Sequence, residues 1–148
     1  MEFSGQGVGG DSRWGLRVAA RIRRMPKAEL TSTVSVRHLP EQSDPQSGQH
    51  AFAYTVSIRN SGDVTVQLIA RHWVITDANG HTEEVRGLAV VGHQPLLKPG
   101  ESFEYTSGTR LATPHGTMRG TFFCMTEDAQ AFNSPVGEFG LTFASALH

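Results

Sequence analysis

The sequence predicts an all-β protein, a two-sheet sandwich of fibronectin type III or immunoglobulin-like kind with about seven strands. Three observations carry that expectation. Apolar residues recur with a period of two in short runs, the signature of strands with one buried face. The 16 glycines and 7 prolines fall largely between those runs, where turns are expected. A chain of 148 residues with 38% hydrophobic content and a mean hydropathy of -0.28 suffices for one globular core without a staple.

Taken in order, Met1 to Arg24 is glycine-rich and then basic, with five arginines and no apolar core of a secretory signal. We expect a leader or flexible extension there, and one domain over residues 25–148. Trp14, Val18, Arg21 and Ile22 would share one side of a short basic helix if that segment were a membrane-surface or targeting element. Thr31 to Arg37 is the first expected strand, closed by a loop holding Pro40, Asp44, Pro45 and Gly48. In His50 to Asn60, Phe52, Tyr54, Val56 and Ile58 alternate with Ala53, Thr55, Ser57 and Arg59, a half-buried strand.

After Asn60 to Asp63, the residues Val64, Val66, Leu68, Ala70 and Val74 form one expected face. Trp73 and Ile75 make the other face apolar as well, so this strand should run deep. Asn79-Gly80 then marks a hairpin returning through Thr82 to Arg86, because such a turn needs positive φ. Gly87 to Gly100 reads as loop, and Ser102 to Thr106, Thr117 to Thr126 and Glu138 to Phe143 as the remaining strands. The expected scaffold is Phe52, Tyr54, Val56, Ile58, Val66, Leu68, Trp73, Phe103, Phe122, Phe139 and Leu141.

Composition excludes several function classes. A net charge of -1, with the arginine excess confined to the first 24 residues, lacks the basic footprint of a nucleic-acid-binding domain. No run approaches the ~18 apolar residues of a membrane span. Cys124 is the single cysteine, so no internal disulfide forms and a cytoplasmic location is expected. It sits within Thr121 to Met125, where a small buried hydrophobe is the usual occupant.

Chemistry-bearing patterns are sparse. Gly87-Leu-Ala-Val-Val-Gly92 resembles a dinucleotide fingerprint, but Ala89 replaces the middle glycine, and Pro95 and Pro99 leave no room for the helix that the motif requires. Its glycines are better read as permitting a bend or bulge. None of the seven histidines stand one, three or four residues apart, so no metal is expected, and His72, aligned with Val74, reads as a hydrogen-bonded core histidine. Ser107 lacks a strained elbow for nucleophilic catalysis, and Glu83-Glu84 and Glu127-Asp128 read as solvated charge. No enzyme and no cofactor are expected. The remaining signal is three stretches rich in turn chemistry, expected as one partner-binding surface: Gly87, Val90, Val91, Gly92, Gln94 and Pro95; Tyr105, Thr106, Ser107 and Gly108; and Thr113, Pro114, Gly116 and Met118.

Those stretches also carry a family resemblance. From about Val34 to Phe143 the chain resembles the ApaG domain family, through Glu41-Gln-Ser-Asp-Pro45, Phe52-Ala-Tyr54, Arg71-His-Trp73 with Thr76-Asp77, Val90-Val-Gly92 with Gln94-Pro95, Pro99-Gly100, Phe103, Tyr105 to Gly108, Thr113-Pro114, Gly116 and Met118. The resemblance implies a fibronectin type III-like sandwich. Related domains in adaptors of ubiquitin ligases and in a DNA polymerase-interacting protein imply a protein or peptide partner. Associations of bacterial members with cobalt resistance, magnesium efflux and diadenosine tetraphosphate hydrolysis imply two alternatives, a divalent cation role and nucleotide or pyrophosphate binding at Gly87 to Gly92. A homodimer through an exposed strand edge is a further expectation. Val136-Gly137 stands where the family commonly has Ile-Pro, a change expected to relax a turn before the last strand.

Overall fold

The computed structural model describes residues 26–142, so the expected leader over 1–24 and the end of the last strand at Phe143 lie outside the described residues. Eight strands are present among them: β1 (Leu30–His38), β2 (His50–Asn60), β3 (Val66–Asp77), β4 (Thr82–Leu88), β5 (Leu96–Leu97), β6 (Ser102–Leu111), β7 (His115–Thr126) and β8 (Ala131–Thr142). They form two antiparallel sheets, ordered β1-β2-β6 and β4-β3-β7-β8, with β5 pairing β3 beyond the end of β4. This is the sandwich that the period of two predicts.

The three-stranded sheet keeps a strict alternation. Phe52, Tyr54, Val56 and Ile58 point inward and are buried, while Thr55 on the outer face bonds the hydroxyl of Thr106 across the strand pair at 2.8 Å. The larger sheet changes register at a bulge on β3 between Leu68 and Ala70. One extra residue, Ile69, moves every following side chain to the opposite face. Val66 and Leu68 are therefore buried before the bulge, and Trp73 and Ile75 after it.

That bulge corrects the expectation for His72. With Trp73 turned inward, His72 lies on the outer face of the sheet and bonds Glu84 at 2.8 Å. A second bulge falls between Met118 and Gly120 of β7, opposite Val136 to Phe139 of β8. The last strand accordingly begins at Ala131, and Val136-Gly137 lies inside it rather than in a preceding turn. Pro135 is tolerated there because β8 is an edge strand whose outward side needs no donor.

Trp73 anchors the core. Its ring meets Tyr54, Phe122 and Phe139 edge-on, with centroids 5.8, 5.7 and 6.0 Å away. The indole also covers Gly120, where an added Cβ would stand 2.3 Å from the ring and 2.6 Å from the His72 carbonyl. Both Phe103 and Phe139 are only partly buried, and the other expected core residues are fully so. Cys124 is wholly buried, and that burial pushes its thiol up to about 12.

Two outcomes follow from this packing. Gly120→Ala should destabilise the protein by about 3 kcal/mol, because neither the Trp73 ring nor a strand carbonyl can yield, and urea unfolding would measure it. The native protein should leave Cys124 unalkylated by iodoacetamide at pH 8, where its thiolate is negligible and inaccessible, and unfolding should expose it to modification.

Candidate functional site

The segment following β4 carries the most unusual backbone in the described chain. Ala89 and Val91 adopt positive φ of 69° and 49°, and Gly92 follows at 80°. Val90 and His93 exchange two backbone hydrogen bonds of 2.7 and 2.9 Å around Val91-Gly92. Positive φ at both central residues makes this a two-residue turn of type I′. A β-branched residue rarely adopts that conformation, so the surrounding contacts must hold it.

Those contacts reach both sheets. The amide of Ala89 donates to the carbonyl of Ile69 at 2.8 Å, and the side-chain amide of Gln94 donates to the same carbonyl at 2.9 Å. Val90 is completely buried, and the His93 ring tilts against Phe103 of β6 at 5.6 Å. The segment thus closes the sandwich edge between β4 and β6, and it is fastened to the bulge that reverses β3.

Arg71 lies beneath this closure. Opposite Gly87 in register, it faces the interior side with Trp73 and Ile75, and its Nη1 donates to the carbonyls of Leu88 and Ala89 at 3.0 and 3.1 Å. An added Cβ on Gly87 would stand 2.6 Å from that nitrogen. Glycine at 87 therefore makes room for the guanidinium, while the residues at 89 and 92 supply left-handed turn positions. Each position of the pattern suspected as a pyrophosphate cradle has a steric role within the chain itself.

The two tyrosines of the inner face complete the neighbourhood. Burial pushes the Tyr54 phenol above its ordinary range, with Ser107 and the charge of Arg71 pulling the other way. Tyr105 is raised further by burial and by Tyr54, against the pull of Arg71. Its hydroxyl is fully buried facing the Trp73 indole, which also opposes the rise, although the pair does not close a well-formed hydrogen bond.

The expected surface divides. The stretch holding Gly87, Val90, Val91, Gly92, Gln94 and Pro95 reaches β6 through His93 against Phe103, but Tyr105 to Gly108 is not a loop. It lies within β6, where Tyr105 is buried and Thr106 and Gly108 face outward from the smaller sheet. Within that expected surface, the side-chain amide nitrogen of Gln94 is committed to the Ile69 carbonyl.

Thr113, Pro114, Gly116 and Met118 belong elsewhere. Gly116 pairs with Asp77 at the far end of β3, roughly 20 Å from Arg71 at the usual rise per strand residue. There the buried Thr113 hydroxyl accepts the amide of Ala78 at 2.9 Å and donates to the carbonyl of His115 at 2.8 Å, stapling the β3-β4 hairpin. Met118 is 1% exposed in the core and makes no surface contact.

Sequence reasoning missed the exposed apolar residues around the closure. Leu88 and Val91 are 73% and 57% exposed, with Leu96 and Phe123 nearby in the register of the larger sheet. Leu88 and Phe123 flank Ala70 on its outer face and line an open depression of about 530 Å³. Positive φ at Val91 leaves no mark on hydropathy, and only the bulge decides which face Phe123 shares. Among the described residues no group of three or more His, Cys, Asp or Glu is placed to hold a metal ion, and no helix is long and apolar enough to cross a membrane.

Comparisons with known proteins agree with this architecture. The ApaG domain family matches residues 40–126. A Protein ApaG from Ralstonia nicotianae is 59% identical over 84% of this chain and 100% of its own length, and one from an Acidovorax species is 57% identical over 79% and 87%. A crystal structure of a Bordetella pertussis protein assigned as ApaA superposes with a TM-score of 0.77 at 54% identity, covering 80% of this chain and 97% of that one.

The strain at the closure is testable directly. Ala89→Gly should stabilise the fold by about 1 kcal/mol, the relief of left-handed backbone exceeding the entropy that glycine adds to the unfolded chain. Ala89→Val should move the urea midpoint the opposite way.

Proposed function

The chain belongs to the ApaG domain family, and from that premise we propose that it is a non-enzymatic binding module that docks a protein or peptide partner at the β4/β6 edge. The observation that supports this most is the closure itself. A strained turn holds Val91 outward, beside the exposed Leu88, while every surrounding hydrogen bond fixes the backbone that presents them. Apolar side chains exposed together on a rigid frame are a common basis for recognition. A pre-formed turn also spares a partner the entropy of ordering it.

The contact set is accordingly narrower than the three stretches that the sequence suggests. Leu88, Val91 and Pro95 supply apolar contact, and Gly92 allows close backbone approach. Thr106 and Gly108 supply the outer margin on β6. The buried Thr113 and Met118 serve as scaffold.

Affinity purification at native expression should return a partner with the wild type and lose it with the Leu88→Asp, Val91→Asp pair. Both positions are exposed, so the pair should retain its fold by circular dichroism. Equal recovery by the folded double variant would remove this edge from consideration.

A further inference from the structure

We propose that the β4/β6 edge holds a carboxylate of the docked peptide, gripped by Arg71 with the Tyr105 hydroxyl beneath it; this rests on the docking role proposed above and specifies its partner chemistry. The first ground is a charge without a counter-charge. Arg71 is half-buried, and among the described residues its only hydrogen-bond partners are two loop carbonyls, both taken by Nη1. Its Nε and Nη2 groups form the side of the guanidinium fork that accepts a carboxylate in parallel, and they have no acceptor there.

A second, independent ground is the orphaned hydroxyl. Tyr105 is 7% exposed, and its phenolic oxygen is buried without a well-formed hydrogen bond among the described residues, the Trp73 indole being the side chain that faces it. Leaving such a group unsatisfied is costly, and native proteins seldom tolerate it without a reason. It lies within the field of the Arg71 charge on the same inner side of the sandwich.

Contrast with the outer face favours this location. There Arg86 and His72 both already bond Glu84, at 3.1 and 2.8 Å, and offer no comparable unmet charge. One guanidinium and one hydroxyl suit a single negative charge with two oxygens. Leu88 and Val91 at the rim favour apolar residues on either side of it.

The test uses the full chain and three probes: acetyl-Leu-Glu-Leu-amide, its Gln counterpart, and acetyl-Leu-Gln-Leu with a free C-terminal carboxylate. Proton–nitrogen NMR follows the Arg71 Nε–H and the Trp73 indole N–H. Saturable shifts of both signals with at least one carboxylate probe, and a response about tenfold weaker or more to the neutral amide, are expected. Which carboxylate probe binds tighter tells a side-chain source from a chain terminus.

Arg71→Lys should weaken that binding about tenfold. Tyr105→Phe should weaken it severalfold while folding at least as stably as the wild type, a combination that a purely structural tyrosine would not produce. Equal response to the neutral probe, or unchanged affinity in both variants, overturns the proposal. If no probe binds while partner recovery still depends on Leu88 and Val91, the carboxylate grip is wrong and the docking role stands.

Discussion

One extra residue in β3 governs this molecule. A strand with unbroken alternation would bury Ala70, His72 and Val74 behind Val66 and Leu68, and would send Arg71 and Trp73 to solvent. The bulge at Ile69 reverses that choice, giving the core its largest ring and placing a cation on the interior side of the same strand. It also frees the Ile69 carbonyl from the β7 ladder to receive Ala89 and Gln94. The core and the closure therefore share one cause, and neither can be moved without the other.

The closure in turn explains where strain is tolerated. Left-handed backbone at Ala89 and Val91 costs about 1–2 kcal/mol for each residue relative to ordinary conformations. Complete burial of Val90 offsets part of it at roughly 1.5–3 kcal/mol, and the bonds to Ile69 fix the geometry. Strain here is thus balanced by one apolar side chain driven inward between two that are turned out. Ala89 and Val91 bend the chain so that Val90 fills the gap between the sheets, and exposure of Val91 is the counterpart of that burial.

The fold was legible because period-two alternation survives in most strands, and β2 reads from sequence as it stands in the structure. Its misreadings have physical sources. A bulge has no residue signature at Ile69, so His72 reads as a core residue although it faces outward, whereas Trp73 stands in the core as expected. Tyr105-Thr-Ser-Gly108 looks like turn chemistry, yet Gly108 sits in a strand facing outward near the Phe52 carbonyl, with an added Cβ 3.4 Å away. Asn79-Gly80 did mark a hairpin, though its loop closes between Asp77 and His81 with positive φ only at Gly80. The true two-residue turn falls at Val91-Gly92, where local propensity opposes it and only tertiary contacts impose it. The candidate site was half legible for the same reason: its loop was visible, while Arg71 and Leu88 acquire their roles through register alone.

Charge distribution separates the two faces of the larger sheet in a way that bears on recognition. On the outer face the Glu84 carboxylate, held below its usual range first by His72 and then by Arg86, satisfies both neighbours in a solvated setting where such pairs contribute little. On the inner side Arg71 is half-buried by the closure, bonds only loop carbonyls among the described residues, and has the neutral phenols of Tyr54 and Tyr105 in its field. Carbonyls stabilise a guanidinium but do not neutralise it, and an unneutralised charge gains most from an incoming anion where water is partly excluded. Selectivity would then be divided between two elements joined by the same turn. On the proposed docking role, Leu88 and Val91 would determine what can pack on the edge, and Arg71 which charge is admitted beneath it.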